Sequence, residues 1–90
     1  MLPNTQHSLD KLESLLKDLG YRIRYEKGNF KTGACMLQNS KVVVVNRFSN
    51  LEVKIGSLVN ILQDMQTDSS ALSEKQKQFL RSIKQTKLTI

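Results

Sequence analysis

Catalysis needs a nucleophile beside a base, a pair of carboxylates, or several metal ligands close together, and this chain is poor in all three. It holds one histidine, His7, and one cysteine, Cys35. Structural and catalytic zinc sites take several Cys or His ligands at close spacing, which one residue of each type, far apart in the chain, does not supply. His7 reads as a surface or helix-start residue. A cysteine becomes a nucleophile when a base activates it, but Cys35 sits between Ala34 and Met36 with no histidine near it in sequence. It reads as a small buried hydrophobe. Glu52, Asp64, Asp68 and Glu74 fall at helix starts or solvent faces, where carboxylates serve capping and solubility. Gly20, Gly28, Gly33 and Gly56 do not form a phosphate-binding loop. Gly28 reads as a turn, and Gly33 and Gly56 as bends or points of close backbone approach. The expectation is a protein that is not an enzyme, with no catalytic residue, no metal site and no cofactor.

Binding chemistry is better supplied. The formal net charge is +6 over 90 residues, and it is unevenly placed. Residues 21–50 carry Arg22, Arg24, Lys27, Lys31, Lys41 and Arg47 against Glu26 alone. These six are the candidate contacts for an acidic protein segment or for phosphates. Sheet-based RNA readers place aromatic and basic groups on one open face so that bases stack. Here Tyr21 and Tyr25 alternate with Arg22 and Arg24, so in a strand the two sets point to opposite sides. The tyrosines then belong to the core and the arginines to solvent, which ranks nucleic acid behind a protein partner.

The elements that must position these groups follow from periodicity. Leu9, Leu12, Leu15, Leu16 and Leu19 recur at helical spacing, predicting an amphipathic helix over residues 5–19, with Thr5 or Ser8 as cap and Gly20 as left-handed terminator. The period then changes to two, and Tyr21–Glu26 reads as a strand with one apolar and one charged face. Lys27-Gly28-Asn29 reads as a turn, a second strand runs over about residues 30–37, Gln38-Asn39-Ser40 turns the chain again, and Lys41–Asn46 is the third strand. Short turns predict an antiparallel meander. Ser49 and Glu52 have capping-box spacing ahead of a helix with Leu51, Ile55, Leu58, Val59, Leu62 and Met65 on one face. Thr67-Asp68-Ser69-Ser70 is a loop. Ser73 with Gln76 opens a third helix with Phe79, Leu80 and Ile83 inward, and Thr86–Ile90 is expected to fray.

The fold class predicted is α+β, in the order α-β-β-β-α-α, as a single domain over residues 1–90 with its ordered core at about 5–85. Val42–Val45 places two valines on each face of the third strand, so the face away from the long helices needs a cover too. The third helix or a second copy of the chain would provide it, and a homodimer through that face is one expectation. A single cysteine forms no intrachain disulfide and fits a reducing compartment. The start of the chain has neither a basic region nor a long apolar run of the signal-peptide kind, and the longest unbroken aliphatic run, Val42–Val45, is far too short for a membrane span. A cytoplasmic location, with no membrane partner, is expected.

The run Gly-Ala-Cys-Met-Leu-Gln-Asn-Ser-Lys-Val-Val-Val-Val-Asn at residues 33–46, within a fuller pattern from Leu16 to about Leu62 that includes Gly-Tyr-Arg-Ile-Arg-Tyr-Glu-Lys-Gly-Asn-Phe, resembles a family of short uncharacterised bacterial proteins. That resemblance covers about half the chain and implies a small domain without an assigned activity. The order of helix, short sheet ending in a valine-rich strand and Asn, then helix is more weakly similar to the core of small zinc metallopeptidases that cleave bacterial repressors. In that family the helix after the valine strand carries His-Glu-x-x-His, two zinc-binding histidines and a glutamate base. Here the helix from Leu51 to Met65 has no histidine. What that resemblance implies is therefore a scaffold without the chemistry.

The reading that follows is a small non-catalytic protein-interaction domain. A meander leaves edge strands that accept an added strand from a partner, and the edges expected are Tyr21–Glu26 and Lys41–Asn46. Arg22, Arg24 and Arg47 would steer an acidic segment there. The second reading is nonspecific nucleic-acid binding through the basic strands.

Overall fold

The structure, a computed structural model, describes residues 3–37, 40–65, 70 and 72–85. Its elements are α1 (Gln6–Asp18), β1 (Arg22–Glu26), β2 (Gly33–Leu37), β3 (Ser40–Asn46), α2 (Leu51–Asp64) and α3 (Glu74–Gln85). The predicted class and element order are those observed. The end of α1 is built as the sequence suggests. Thr5 caps the helix by accepting from the Ser8 N–H. Gly20, at φ +94°, closes it: the Gly20 N–H donates to Lys17 O and the Tyr21 N–H to Leu16 O, the paired bonds of a Schellman motif.

The sheet is not a meander. Its order is β1-β3-β2, with β1 parallel to β3 and β2 antiparallel to it. The expected edge at Lys41–Asn46 is therefore the central strand, and the edges are β1 and β2. Two physical reasons account for the difference. A strand apolar on both faces is most stable between two neighbours, and Val42–Val45 is the one such run in the chain. The β1–β2 connection is also longer than a hairpin turn. Residues 27–32 carry the chain past the end of β3, which leaves a slot between β1 and β2 that β3 fills.

Alternation along the strands divides the sheet into two faces. Val43 and Val45 join one core with Leu9, Leu12, Leu15 and Leu16 of α1, Ile55, Leu58 and Leu62 of α2, and Leu80 and Ile83 of α3, while Ile23, Tyr21 and Tyr25 pack against it. The third helix thus belongs to this core and does not cover the opposite face. There Arg22 pairs with Val42, which pairs on its other side with Cys35, and Arg24 pairs with Val44, which pairs with Gly33. Val42 is 4% exposed within the single chain, so burying it requires no second copy.

Three smaller expectations are corrected. Asn50, not Ser49, caps α2: its side chain accepts from the Val53 N–H at 2.8 Å. Cys35 is exposed, because β2 is an edge strand and the residue faces away from the helices. A Cβ at Gly33 would meet only Lys31 O at ordinary contact distance, and one at Gly56 would meet nothing, so neither glycine marks a close approach. Ser73 does cap α3, accepting from the Gln76 N–H. Thr67-Asp68-Ser69, Gln38-Asn39 and the tail 86–90 lie outside the described residues.

Candidate functional site

The features that stand out lie where β1 and β3 end, and one side chain organises them. Asn46, 9% exposed, is the last residue of β3. Its amide donates to Gly28 O at 2.9 Å and to Phe30 O, and its backbone N–H donates to Thr32 Oγ1 at 3.0 Å. Those bonds hold the β1–β2 connection across the end of the central strand. On its other side, Asn46 Oδ1 accepts from the Phe48 N–H at 3.0 Å, and Asn46 O accepts from the Ser49 N–H at 3.1 Å. Together they make an Asx turn nested in a β-turn. The turn is tight because Asn50 must already cap α2, and it leaves Phe48 at its tip.

The consequence is an exposed apolar surface. Phe48 is 71% exposed, Val53 49% and Phe30 36%, and these are the large apolar side chains left exposed among the described residues. Phe30 lines two adjoining clefts, Phe48 the first of them and Val53 the second. One, of about 560 Å³, is bordered by Gly28, Asn29, Phe30, Lys31, Asn46, Phe48 and Ser49. The other, of about 450 Å³, adds Thr32, Val53, Ser57, Asn60, Ile61 and Asp64 to the shared Phe30, Lys31 and Ser49. Val53, Ser57, Asn60, Ile61 and Asp64 form one stripe of α2 at helical spacing. The two clefts share Phe30, Lys31 and Ser49 and together make a shallow groove from the Asn46 turn along the side of α2. A Cβ at Gly28 would press on the Phe30 ring at 3.1 Å, so the loop fits closely against one wall.

The six basic residues singled out from the sequence do not form one patch. Arg22 is exposed on the helix-free face, and Arg24, beside it, is tied to Glu26 by an ion pair at 2.8 Å. Lys41 is exposed at the other end of β3, its Nζ 5.6 Å from the centre of the Tyr21 ring. Of the other three, Lys31 lines the groove. Lys31 borders both clefts, and Lys27 and Arg47 adjoin lining residues in the chain. Among the described residues no ion pair involves any of the three. Phe30, Phe48 and Val53 are the residues that sequence reasoning missed. Their signal was a phenylalanine between Arg47 and Ser49, inside a connection that is otherwise polar.

His7 is exposed in the first turn of α1, and Glu52 and Glu74 are exposed in the first turns of α2 and α3. Asp64, also exposed, ends α2. Among the described residues, no group of three His, Cys, Asp or Glu converges as metal ligands would. Tyr25 is a perturbed ionisable group, its hydroxyl donating to the Glu13 carboxylate. Burial first, then that hydrogen bond and the negative charge of Glu13, push its ionisation well above the usual tyrosine range. The pair fastens β1 to α1 at the margin of the core. None of the helices among the described residues is long and apolar enough to cross a membrane. Comparison with protein-family models, with curated proteins and with solved structures gave no match.

Proposed function

We propose that the protein is a non-catalytic protein-interaction domain and that its working surface is the groove between the β1–β2 connection and α2. The observation that carries this reading is the convergence of Phe30, Phe48 and Val53 on that groove. A single exposed apolar side chain is ordinary. A contiguous set rimmed by polar and charged groups marks an interaction site, and aromatic residues with arginine are the side chains enriched where partners bind. The β1 edge, with Arg22 beside it, is a secondary surface on this reading, since the Glu26 carboxylate offsets the charge of Arg24.

The test is capture of partners on immobilised protein, comparing wild type with Phe48→Asp and with Arg22→Glu/Arg24→Glu. Phe48 is exposed enough for its replacement to leave the fold intact. The expected result is a protein retained by wild type and by the arginine variant but lost from Phe48→Asp. An identical retained set on Phe48→Asp would overturn the groove as the site.

Nucleic acid is the second reading, favoured by one observation: among the described residues Lys31 and Arg47, next in the chain to the exposed Phe30 and Phe48, form no ion pair. Phosphate contacts make affinity fall steeply with salt. Fluorescence anisotropy with labelled single-stranded DNA, duplex DNA and RNA at about 50 and about 200 mM salt separates the readings. Binding that collapses over this range supports nucleic acid, and no binding at the lower salt removes it.

A further inference from the structure

We infer that the groove takes a short acidic protein segment bearing one apolar anchor residue, laid with its carboxylates at the Lys31 end and its neutral end towards Asp64. This inference rests on the proposed interaction function and names the chemistry of the partner. Three features of the groove lead to it.

The first is uncompensated charge. Lys31 borders both clefts, Lys27 and Arg47 are chain neighbours of residues lining the first, and among the described residues none of these cations has a carboxylate within ion-pair distance. Cations beside a cleft and not ion-paired raise the local concentration of anions and steer them in. The second is the apolar wall. Phe30 lines both clefts, with Phe48 in the first and Val53 in the second, so an apolar side chain entering either one meets Phe30, and a buried anchor of that kind dominates the energetics of an interface. Ser49, Ser57 and Asn60 stand along the same groove, and their hydroxyl and amide groups can both donate to and accept from a main chain.

The third is Asp64, at the far end of the α2 stripe. It separates a peptide from a nucleic acid. A strand of nucleic acid carries a phosphate at every step, so a length filling the groove would set one against this carboxylate. A peptide can be acidic at one end and neutral at the other. The stripe from Val53 to Asp64 is about 16 Å long at the rise of an α-helix, room for about five residues in extended form.

The experiment is selection of a displayed library of random short peptides on the wild-type protein, with counter-selection on Phe48→Asp. The expected winners carry Asp or Glu near one Phe, Leu, Ile or Trp. The best of them, labelled and synthesised, should lose at least about tenfold in affinity to Phe48→Ala and to Lys31→Glu, and should shift the amide resonances of Phe30, Lys31, Ser49, Val53 and Ser57. Replacing its acidic residues with lysine should restore binding to Lys31→Glu, a charge exchange that a merely destabilised variant would not show. Winners that depend on Phe48 but are neutral or basic would overturn the acidic partner and leave the interaction groove standing. No Phe48-dependent winner at all would overturn both. An oligothymidylate that displaces the best peptide and shifts the same resonances would overturn the inference in favour of nucleic acid. A wild-type protein of twice the chain mass in light scattering, with these resonances buried, would overturn it in favour of a second copy.

Discussion

At the scale of single residues, Asn46 does the most positioning, because it serves two loops at once. Removing its side chain leaves Gly28 O, Phe30 O and the Phe48 N–H without the partner they have now. Unmade bonds at a buried site cost about 1–3 kcal/mol each where water cannot replace them. Asn46→Ala should therefore lower stability by about 2 kcal/mol, read by denaturant unfolding, and should broaden the resonances of Phe30 and Phe48 while leaving those of α1 unchanged. Uniform broadening would show that Asn46 is simply part of the core. Tyr25 gives a second test, through pH. Its ionisation is raised in the folded protein above the ordinary value of 10.0, so the protonated hydroxyl favours folding. That contribution is complete below the unfolded value and is lost as pH rises through and beyond about 10. The melting temperature of wild type should therefore fall more steeply between about pH 9 and about pH 11 than that of Tyr25→Phe. Parallel curves would contradict the Tyr25–Glu13 link.

At the scale of elements, the caps and the helix interiors make separable predictions. Asn50→Ala should cost about 1 kcal/mol, and Ser49→Ala a few tenths, in thermal or denaturant unfolding. The reverse ranking would restore Ser49 as the cap. Gly56 lies in the middle of α2, exposed, with open space where a Cβ would stand. Gly56→Ala should raise stability by up to about 1 kcal/mol, or about 4–8 °C in melting temperature for a domain of this size; a loss would mean that the position is crowded in solution. Much of this level was legible in the sequence. The leucines of α1, the apolar face of α2, the Ser73 cap and the Gly20 terminator all follow local rules, and local rules survive any change of topology. The start of α2 was harder to read, because Ser49 and Asn50 are both good caps and the choice between them rests on the Asn46 turn. Cys35 was misread because burial depends on whether β2 is a central or an edge strand.

At the scale of the whole molecule, strand order was where sequence reasoning failed, and the reason is specific. A six-residue connection containing Gly28 and Asn29 satisfies a hairpin rule and a crossing rule alike, and the atoms that decide between them belong to Asn46, far along the chain. The double-faced valine run carried the right information, since it calls for neighbours on both sides. Hydrogen exchange tests the outcome: β3 amides should be the slowest in the sheet, whereas a meander would protect β2 most. The groove was illegible for a related reason. Phe30 and Phe48 lie 18 positions apart and meet only because the crossing loop and the Asn46 turn share an end of the sheet. The claim that this groove is where the protein meets its partner is tested most directly by placing a photo-crosslinking amino acid at position 48 in living cells, with position 10 on the exposed side of α1 as control. A discrete protein adduct is expected from position 48, resistant to nuclease and absent from position 10. No adduct above the control, or one that nuclease removes, would contradict it.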